Sequence, residues 1–284
     1  MKCFPSMTFF LSVGFLLATP VSAEPLNEDN ACFGERQKQD DIAQQDHMLN
    51  FFAAATTMSP LHGPMGGEPG HGTVGVDLLV MPPLSCAQRI VFQNLETGEG
   101  GKTEDTNKSP VVPRPHMSFT FPKLGEWQLY GTAAYIPPVP FAGTRNVYLG
   151  FELGAGRDFG GVLQTGLRFH ASMLKAIGDI ATKLNEDDED LVDFYLASTM
   201  GIDLMLGRQI GKWTPYLSGG VLDVSTIFYV DDTGVMVNNT APYFGPALSV
   251  GTEADLHERI ALAVEFYTAP GVIYTGRVRA GLKF

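Results

Sequence analysis

The chain has 284 residues and is acidic, with 19 Lys and Arg against 31 Asp and Glu for a formal net charge of −12, and 44% of it is hydrophobic. A surplus of negative charge this large argues against nucleic acid or an anionic membrane surface as partner. After the first residues no window holds the ~18 consecutive apolar residues of a spanning helix. The hydrophobicity is therefore spread over short segments, which with 32 Gly and 19 Phe points to a β-protein.

The chain opens with Lys2, an apolar run Phe9–Ala18, Pro20, and the small residues Val21-Ser22-Ala23 before Glu24. This pattern predicts a secretory leader over residues 1–23, too short and poorly flanked for a spanning helix. Its removal takes the charge from −12 to −13 and leaves Cys32 and Cys86. In an exported chain an even pair is expected to close a disulfide, two buried thiols being the other reading.

Residues 24–72 differ in texture from the rest. Glu35–Thr57 carries Ile42, Leu49 and Phe52 at helical spacing, with Phe51 beside them, and predicts an amphipathic helix. Ser59–Gly72, SPLHGPMGGEPGHG, has too much Gly and Pro for regular structure. His62 and His71 with Asp46 and His47 could be imagined as metal ligands, but no ligand spacing recurs. The stretch reads as a plain loop, with no metal and no cofactor implied.

From Thr73 onward the chain alternates between period-two stretches and turn signals. Ten strands are predicted: Val74–Met81, His116–Phe121, Trp127–Ile136, Val147–Gly156, Val162–Met173, Phe194–Gly207, Tyr216–Tyr229, Tyr243–Ala254, Ile260–Tyr267 and Ile273–Phe284. Most are near the ~9–11 residues a tilted strand needs to cross a bilayer. Gln88–Leu95, inside a long connection, is not counted. Pro82–Pro115, Pro137–Asn146, Leu174–Asp193 and Val230–Pro242 are long connections. Pro122–Glu126, Arg157–Gly161, Arg208–Pro215 and Asp255–Arg259 are short ones and alternate with them, so long and short fall largely on opposite edges of the sheet. Thr268–Val272 should lie on the long side but is brief. Segregated loop length is expected of a membrane barrel and has no reason in a sandwich.

Leader, alternating strands, loop asymmetry and a last strand ending in Leu282-Lys283-Phe284 resemble bacterial outer-membrane β-barrel proteins over about residues 73–284. The resemblance implies an all-β, antiparallel up-and-down barrel of about ten strands, or twelve, behind a helical and irregular extension over 24–72. It also implies a Gram-negative outer-membrane location and Phe284 as part of the signal read by the barrel insertion machinery. Lipids and lipopolysaccharide are then the surroundings, and the protein is expected to be a monomer.

Parity assigns the faces. Val147, Leu149, Phe151 and Leu153 share one side of their strand, Tyr148 and Glu152 the other; Leu163, Leu167, Phe169 and Met173 oppose Gln164, Arg168, His170 and Ser172. Charge on a lipid face costs ~2–4 kcal/mol for Arg or Lys near the midplane, so charges must turn inward. The expected lumen set is Asp77, Glu152, Arg168, His170, Asp203, Glu253, Glu265, Arg277 and Arg279, with Lys283. Unpaired charges inside are costly too. Pairing is expected between Glu152 and Arg168, between Glu265 and Arg277, and, if the ends meet, between Asp77 and Arg277 or Arg279. Such a lumen is a structural filling or a narrow charged pathway. Tyr130, Tyr135, Tyr148, Trp127, Trp213, Tyr216, Tyr229, Tyr243, Phe244, Tyr267 and Tyr274 near strand ends suggest aromatic girdles.

His170 and Ser172 share a face and are faintly similar to the His-x-Ser element of outer-membrane lipid A deacylases, but Met173 stands where an Asn is expected. Ten strands also resemble the omptin proteases, which need acidic and His residues at the outer rim. Asp187, Asp188, Glu189, Asp190, Asp231 and Asp232 are acidic there without a His, and read as solvated loop charge or as carboxylates for divalent cations that bridge lipopolysaccharide. No enzyme activity is expected. Cys32 and Cys86 flank opposite membrane faces unless residues 24–72 thread the lumen as a plug. A transporter for small or hydrophobic solutes with that plug is the first alternative function, and an outer-membrane lipid-modifying or proteolytic enzyme built on His170 and Ser172 the second.

Overall fold

The computed structural model describes residues 41–82, 84, 90–92, 101–104, 111–141, 144–178, 181–182, 192–230 and 235–284. The expected leader, Cys32, Cys86 and the acidic residues at 187–190 and 231–232 lie outside the described residues.

A helix α1 (Asp41–Thr56) precedes the strands β1 (Gly72–Val80), β2 (Ile90–Phe92), β3 (Gly101–Glu104), β4 (Val111–Thr120), β5 (Trp127–Phe141), β6 (Thr144–Phe159) and β7 (Leu163–Gly178). Then come β8 (Ala181–Thr182), β9 (Asp193–Gly207), β10 (Trp213–Val230), β11 (Val235–Asn238), β12 (Phe244–His257), β13 (Ile260–Ala269) and β14 (Ile273–Lys283). Ten of these strands close a ring in the order β1-β4-β5-β6-β7-β9-β10-β12-β13-β14, each antiparallel to its neighbours, with β14 laddered back onto β1. The alternative of twelve is thereby set aside. The short β11 pairs with the far end of β10, and β2, β3 and β8 make a separate three-stranded sheet. The expected uncounted segment 88–95 contributes only β2.

Period-two patterning makes these strands, and closure leaves every one laddered on both sides, so no long edge is exposed. All connections at one end are short; at the other, β1–β4, β7–β9 and β10–β12 are joined by long ones, but β13–β14 is brief and the expected long connection Pro137–Asn146 is instead the paired ends of β5 and β6, joined by two residues. At the tight turn between β6 and β7, Gly160 and Gly161 take φ of 66° and 73°, a region that costs residues with a Cβ. Asp158 Oδ1 accepts from Gly161 N at 2.9 Å in the same turn.

Several strands are longer than expected. β5 and β7 gain five residues each at the long-connection end, β6 gains three at each end and β10 gains three at the short-turn end and one at the other, whereas β9 matches its expected bounds to one residue. β4 begins five residues earlier than expected, through Pro113 and Pro115. Proline cannot donate to a ladder. Over Val111–Pro115, β4 is laddered on β1 alone, its pairing with β5 starting only at His116. β5 also carries Pro137 and Pro138, at a register shift between Ile136 and Val139.

The outward face is apolar along the whole ring. Val76, Met117, Leu149, Phe151, Ile202, Val250, Phe266 and Val278 are exposed there, Val250 to 58%. An apolar belt this continuous is far larger than the patches a protein in water carries, and hydrocarbon is what covers it. The inward face has two zones. Toward the long-connection end Leu79, Ala197, Leu222, Val224, Phe228, Ala247 and Ile273 pack around α1. Toward the short-turn end the inward residues are charged and polar. The sequence reading named only charged lumen residues; the structure adds an apolar outer zone, which seats α1.

Candidate functional site

The site is the lumen and what fills it. α1 and the irregular chain after it, residues 57–71, lie inside the ring. The helix is not two-faced as expected: Gln45, Asp46, Met48, Leu49, Asn50, Phe51 and Ala53–Thr57 are all buried, because the barrel surrounds it. At its entry Asp46 accepts from Thr240 N at 2.7 Å and from the Thr240 hydroxyl. Asn50 donates to Ala241 O at 2.9 Å and accepts from Asn239 Nδ2 at 2.7 Å and Tyr243 N at 3.0 Å. These contacts clamp the helix to the chain between β11 and β12. Burial raises the phenol pKa of Tyr243, which keeps it a donor to Pro246 O at 2.6 Å.

At the other end of α1 the last carbonyls have no partner in the helix and face two cations. Arg114 Nη1 donates to Thr56 O and Thr57 O at 3.2 and 3.1 Å, and Arg277 Nη1 to Thr57 O at 2.7 Å. Tyr148 OH adds a bond of 3.0 Å to Thr56 O. Cations at a helix C-terminus are favoured by the helix dipole. Arg277 also lies 4.0 Å from the ring centre of Tyr267, a cation–π contact.

Below this point the expected charges converge. Arg168, fully buried, donates from Nη1 to Glu152 Oε2 at 2.6 Å and from Nε and Nη2 to Asp203 Oδ2 at 3.0 and 2.5 Å. Its Nη2 also donates to Met58 O at 2.9 Å, so one guanidinium ties two strands and the inner chain. His170 Nε2 lies 3.4 Å from Asp203 Oδ2. Across the seam of the ring, Arg279 Nε and Nη2 meet the two oxygens of Asp77 at 2.7 and 3.2 Å, with His116 Nδ1 3.1 Å from Oδ1.

His62 completes the network. Its Nε2 is 2.6 Å from Glu152 Oε1 and its Nδ1 2.6 Å from Gly63 O. A carbonyl can only accept, so Nδ1 carries a proton, and the Nε2–carboxylate contact needs one proton between its two groups. Tyr130 packs edge-on against the imidazole at 4.8 Å. Glu265 Oε2 accepts from Tyr216 OH at 2.9 Å and Leu61 N at 3.2 Å, and Glu253 Oε2 from Gly63 N at 3.0 Å. Gln128 Nε2 donates to Met65 O and Gly67 O at 2.9 and 2.6 Å. At the short-turn rim Lys283 Nζ reaches Asp255 at 2.5 Å and Glu68 at 3.6 Å.

All nine expected lumen residues face inward. Glu152–Arg168 and Asp77–Arg279 pair as parity required. Glu265 and Arg277 are register partners but do not bond to each other, because the inner chain supplies each with a backbone partner instead. Four of the expected girdle residues, Tyr130, Tyr148, Tyr216 and Tyr267, point into the lumen and are buried; Trp127, Tyr135, Trp213, Phe244 and Tyr274 are exposed outside. His62, taken as a loop residue, is buried. Arg114 was missed because Pro113 and Pro115 hide its strand; the alternation of Arg114, His116 and Ser118 was the available signal. His170 and Ser172 face the inner chain, with Ser172 Oγ 2.7 Å from Thr199 Oγ1 and 3.3 Å from Thr56 Oγ1.

No protein-family model matches the chain, and no curated protein sequence matches it. Among solved structures it is similar to the translocator domain of the autotransporter NalP from Neisseria meningitidis, at 8% identity over 77% of this chain and 89% of that one, with a TM-score of 0.44. It is also similar to the toluene transporter TodX of Pseudomonas putida (9% identity, 78% and 70% covered, TM-score 0.39). The outer membrane protease OmpT of Escherichia coli is a third (9% identity, 76% and 94% covered, TM-score 0.37). A closed antiparallel ring of ten strands, an apolar belt outside and a charged, polar interior give this chain the build of a membrane-spanning β-barrel.

Proposed function

We propose that the protein is a structural outer-membrane barrel whose lumen is closed to solutes by residues 41–71, leaving at most a narrow passage for water and small ions. One observation carries this reading. The inner chain is hydrogen-bonded by side chains of β4, β5, β6, β7, β9, β12, β13 and β14, so it is held from nearly every direction. The lumen charges are spent on each other and on that chain, which leaves few to attract a permeant ion. The protein works as a monomer among lipid and lipopolysaccharide and reaches the membrane through the barrel insertion machinery, with the terminal strand to Phe284 as the insertion signal. We read it as no enzyme, since His170 and Ser172 are engaged in holding the lumen together. Planar-bilayer recording of the refolded protein tests the reading: it expects no large, stable openings, and their regular appearance would overturn it.

A second reading, passage of a small hydrophobic solute, is favoured by the apolar outer zone that α1 occupies. It requires the helix to move. An Asp46→Ala/Asn50→Ala protein, which lacks the entry clamp, would then show raised solute uptake into vesicles, whereas a static filling predicts no change.

A further inference from the structure

The inner chain has a direction. Asp46 and Asn50 are clamped at the long-connection end, to Thr240, Ala241 and Tyr243. Thr57 O meets Arg277 and Met58 O meets Arg168 in mid-lumen. Gly63 N meets Glu253 and Met65 O meets Gln128 lower down. Gly70 N then donates to Thr120 O at 2.8 Å at the short-turn end, and Gly72 starts β1 there, pairing with Phe284 at the end of the chain. Between Asp46 and Gly70 the backbone thus crosses the whole barrel, and it enters from the side opposite to the start of β1. The helix therefore starts at the long-connection end.

We propose that the barrel displays its own N-terminal chain at the outer cell surface, with residues 41–71 as the stalk that holds it there. This rests on the outer-membrane reading above, in which short turns face the periplasm and long connections face out. A chain with a cleaved leader arrives from the periplasmic side, so its N-terminal part reaches the exterior only through the bore or by the ring closing around it. The clamp at Asp46 and Asn50 and the ring of bonds around residues 56–67 then prevent retreat. Glu24–Asp40 carries Glu24, Glu28, Asp29, Glu35 and Asp40 against Arg36 and Lys38, a composition suited to water rather than to the apolar zone behind it.

The test uses the full-length protein in intact Gram-negative cells, with one epitope inserted after Asn30, after Asn185 or after Lys123. Each version is first shown to be folded by heat-modifiable migration, and insertion after Leu26 replaces Asn30 if the latter blocks folding. Antibody is expected to bind the Asn30 and Asn185 epitopes on intact cells, and the Lys123 epitope only after the outer membrane is permeabilised. An Asn30 epitope reached only after permeabilisation, with Asn185 reached at once, overturns the display and leaves the barrel's orientation standing. An exposed Lys123 epitope with Asn185 hidden overturns the orientation, and the display with it.

Discussion

At the level of single residues the lumen is governed by the rule that a buried charge without a partner costs more than its pair returns. Arg168 holds Glu152, Asp203 and Met58 O at once. Arg168→Met takes the shared guanidinium from two buried carboxylates, leaving Glu152 only His62 and Asp203 only His170, and is expected to destabilise the barrel by about 3–5 kcal/mol in denaturant unfolding from lipid vesicles. Adding Glu152→Gln and Asp203→Asn to it should recover most of the loss; a triple variant as unstable as the single one would mean that the charges themselves are not the issue. Gly156 marks the closest approach of inner chain and wall: a Cβ there would collide with Pro64 O, and Gly166 and Gly207 flank the same proline. Gly156→Ala is therefore expected to cost about 1–3 kcal/mol by overpacking, seen as a lowered Tm. Parity in the sequence was enough to put Glu152 near Arg168 on one face, two places off its register partner His170. It was blind to His62, because a residue in a Gly- and Pro-rich stretch has no period from which a face can be read.

At the level of elements the helix is held by its two ends and by apolar packing between them. Asn50→Ala removes three hydrogen bonds at the entry clamp. Amide exchange within α1 is expected to speed up while that of the β6–β7 ladder stays unchanged; equal change in both would show that the helix and the wall open as one unit. α1 runs in from the long-connection end, and Leu84 packs in the same apolar cluster as Met48 and Leu49. The disulfide expected between Cys32 and Cys86 falls outside the described residues and is open to a direct test. We expect faster migration of the unreduced, denatured protein and no thiol reactive toward maleimide, while two free thiols would exclude the bond. Strand identity was legible because alternation survives in each segment. The extent of β9 was legible to one residue, but that of β5 and β7 was not, because Pro137, Pro138 and the Lys175–Gly178 stretch break the alternation from which a strand end is read.

For the molecule as a whole, what lies outside the ring decides between membrane and water. Phe151 sits near the middle of β6 and faces out. Phe151→Arg is expected to destabilise the protein in vesicles by roughly 2–4 kcal/mol, whereas a surface facing water would tolerate it. The folded protein should also run faster than the boiled one on a gel, and identical migration would argue against a detergent-resistant barrel. The ring could be read from alternation and from the turn signals between the strands. The filled lumen could be read only as one of two options, since it depends on contacts between distant parts of the chain.

One feature has consequences in time. The wall closes where β1 meets β14 over seven residue pairs, and the chain in its middle continues straight into β1 at Gly72. A cuff stitched around its own leading strap is slow to come apart. During assembly the strap is free while the last stitches form, but during melting it must either be hauled out lengthwise or wait for the stitches to part. Heating and cooling curves of one sample are therefore expected to show hysteresis, and a version lacking residues 41–69 should lose most of it.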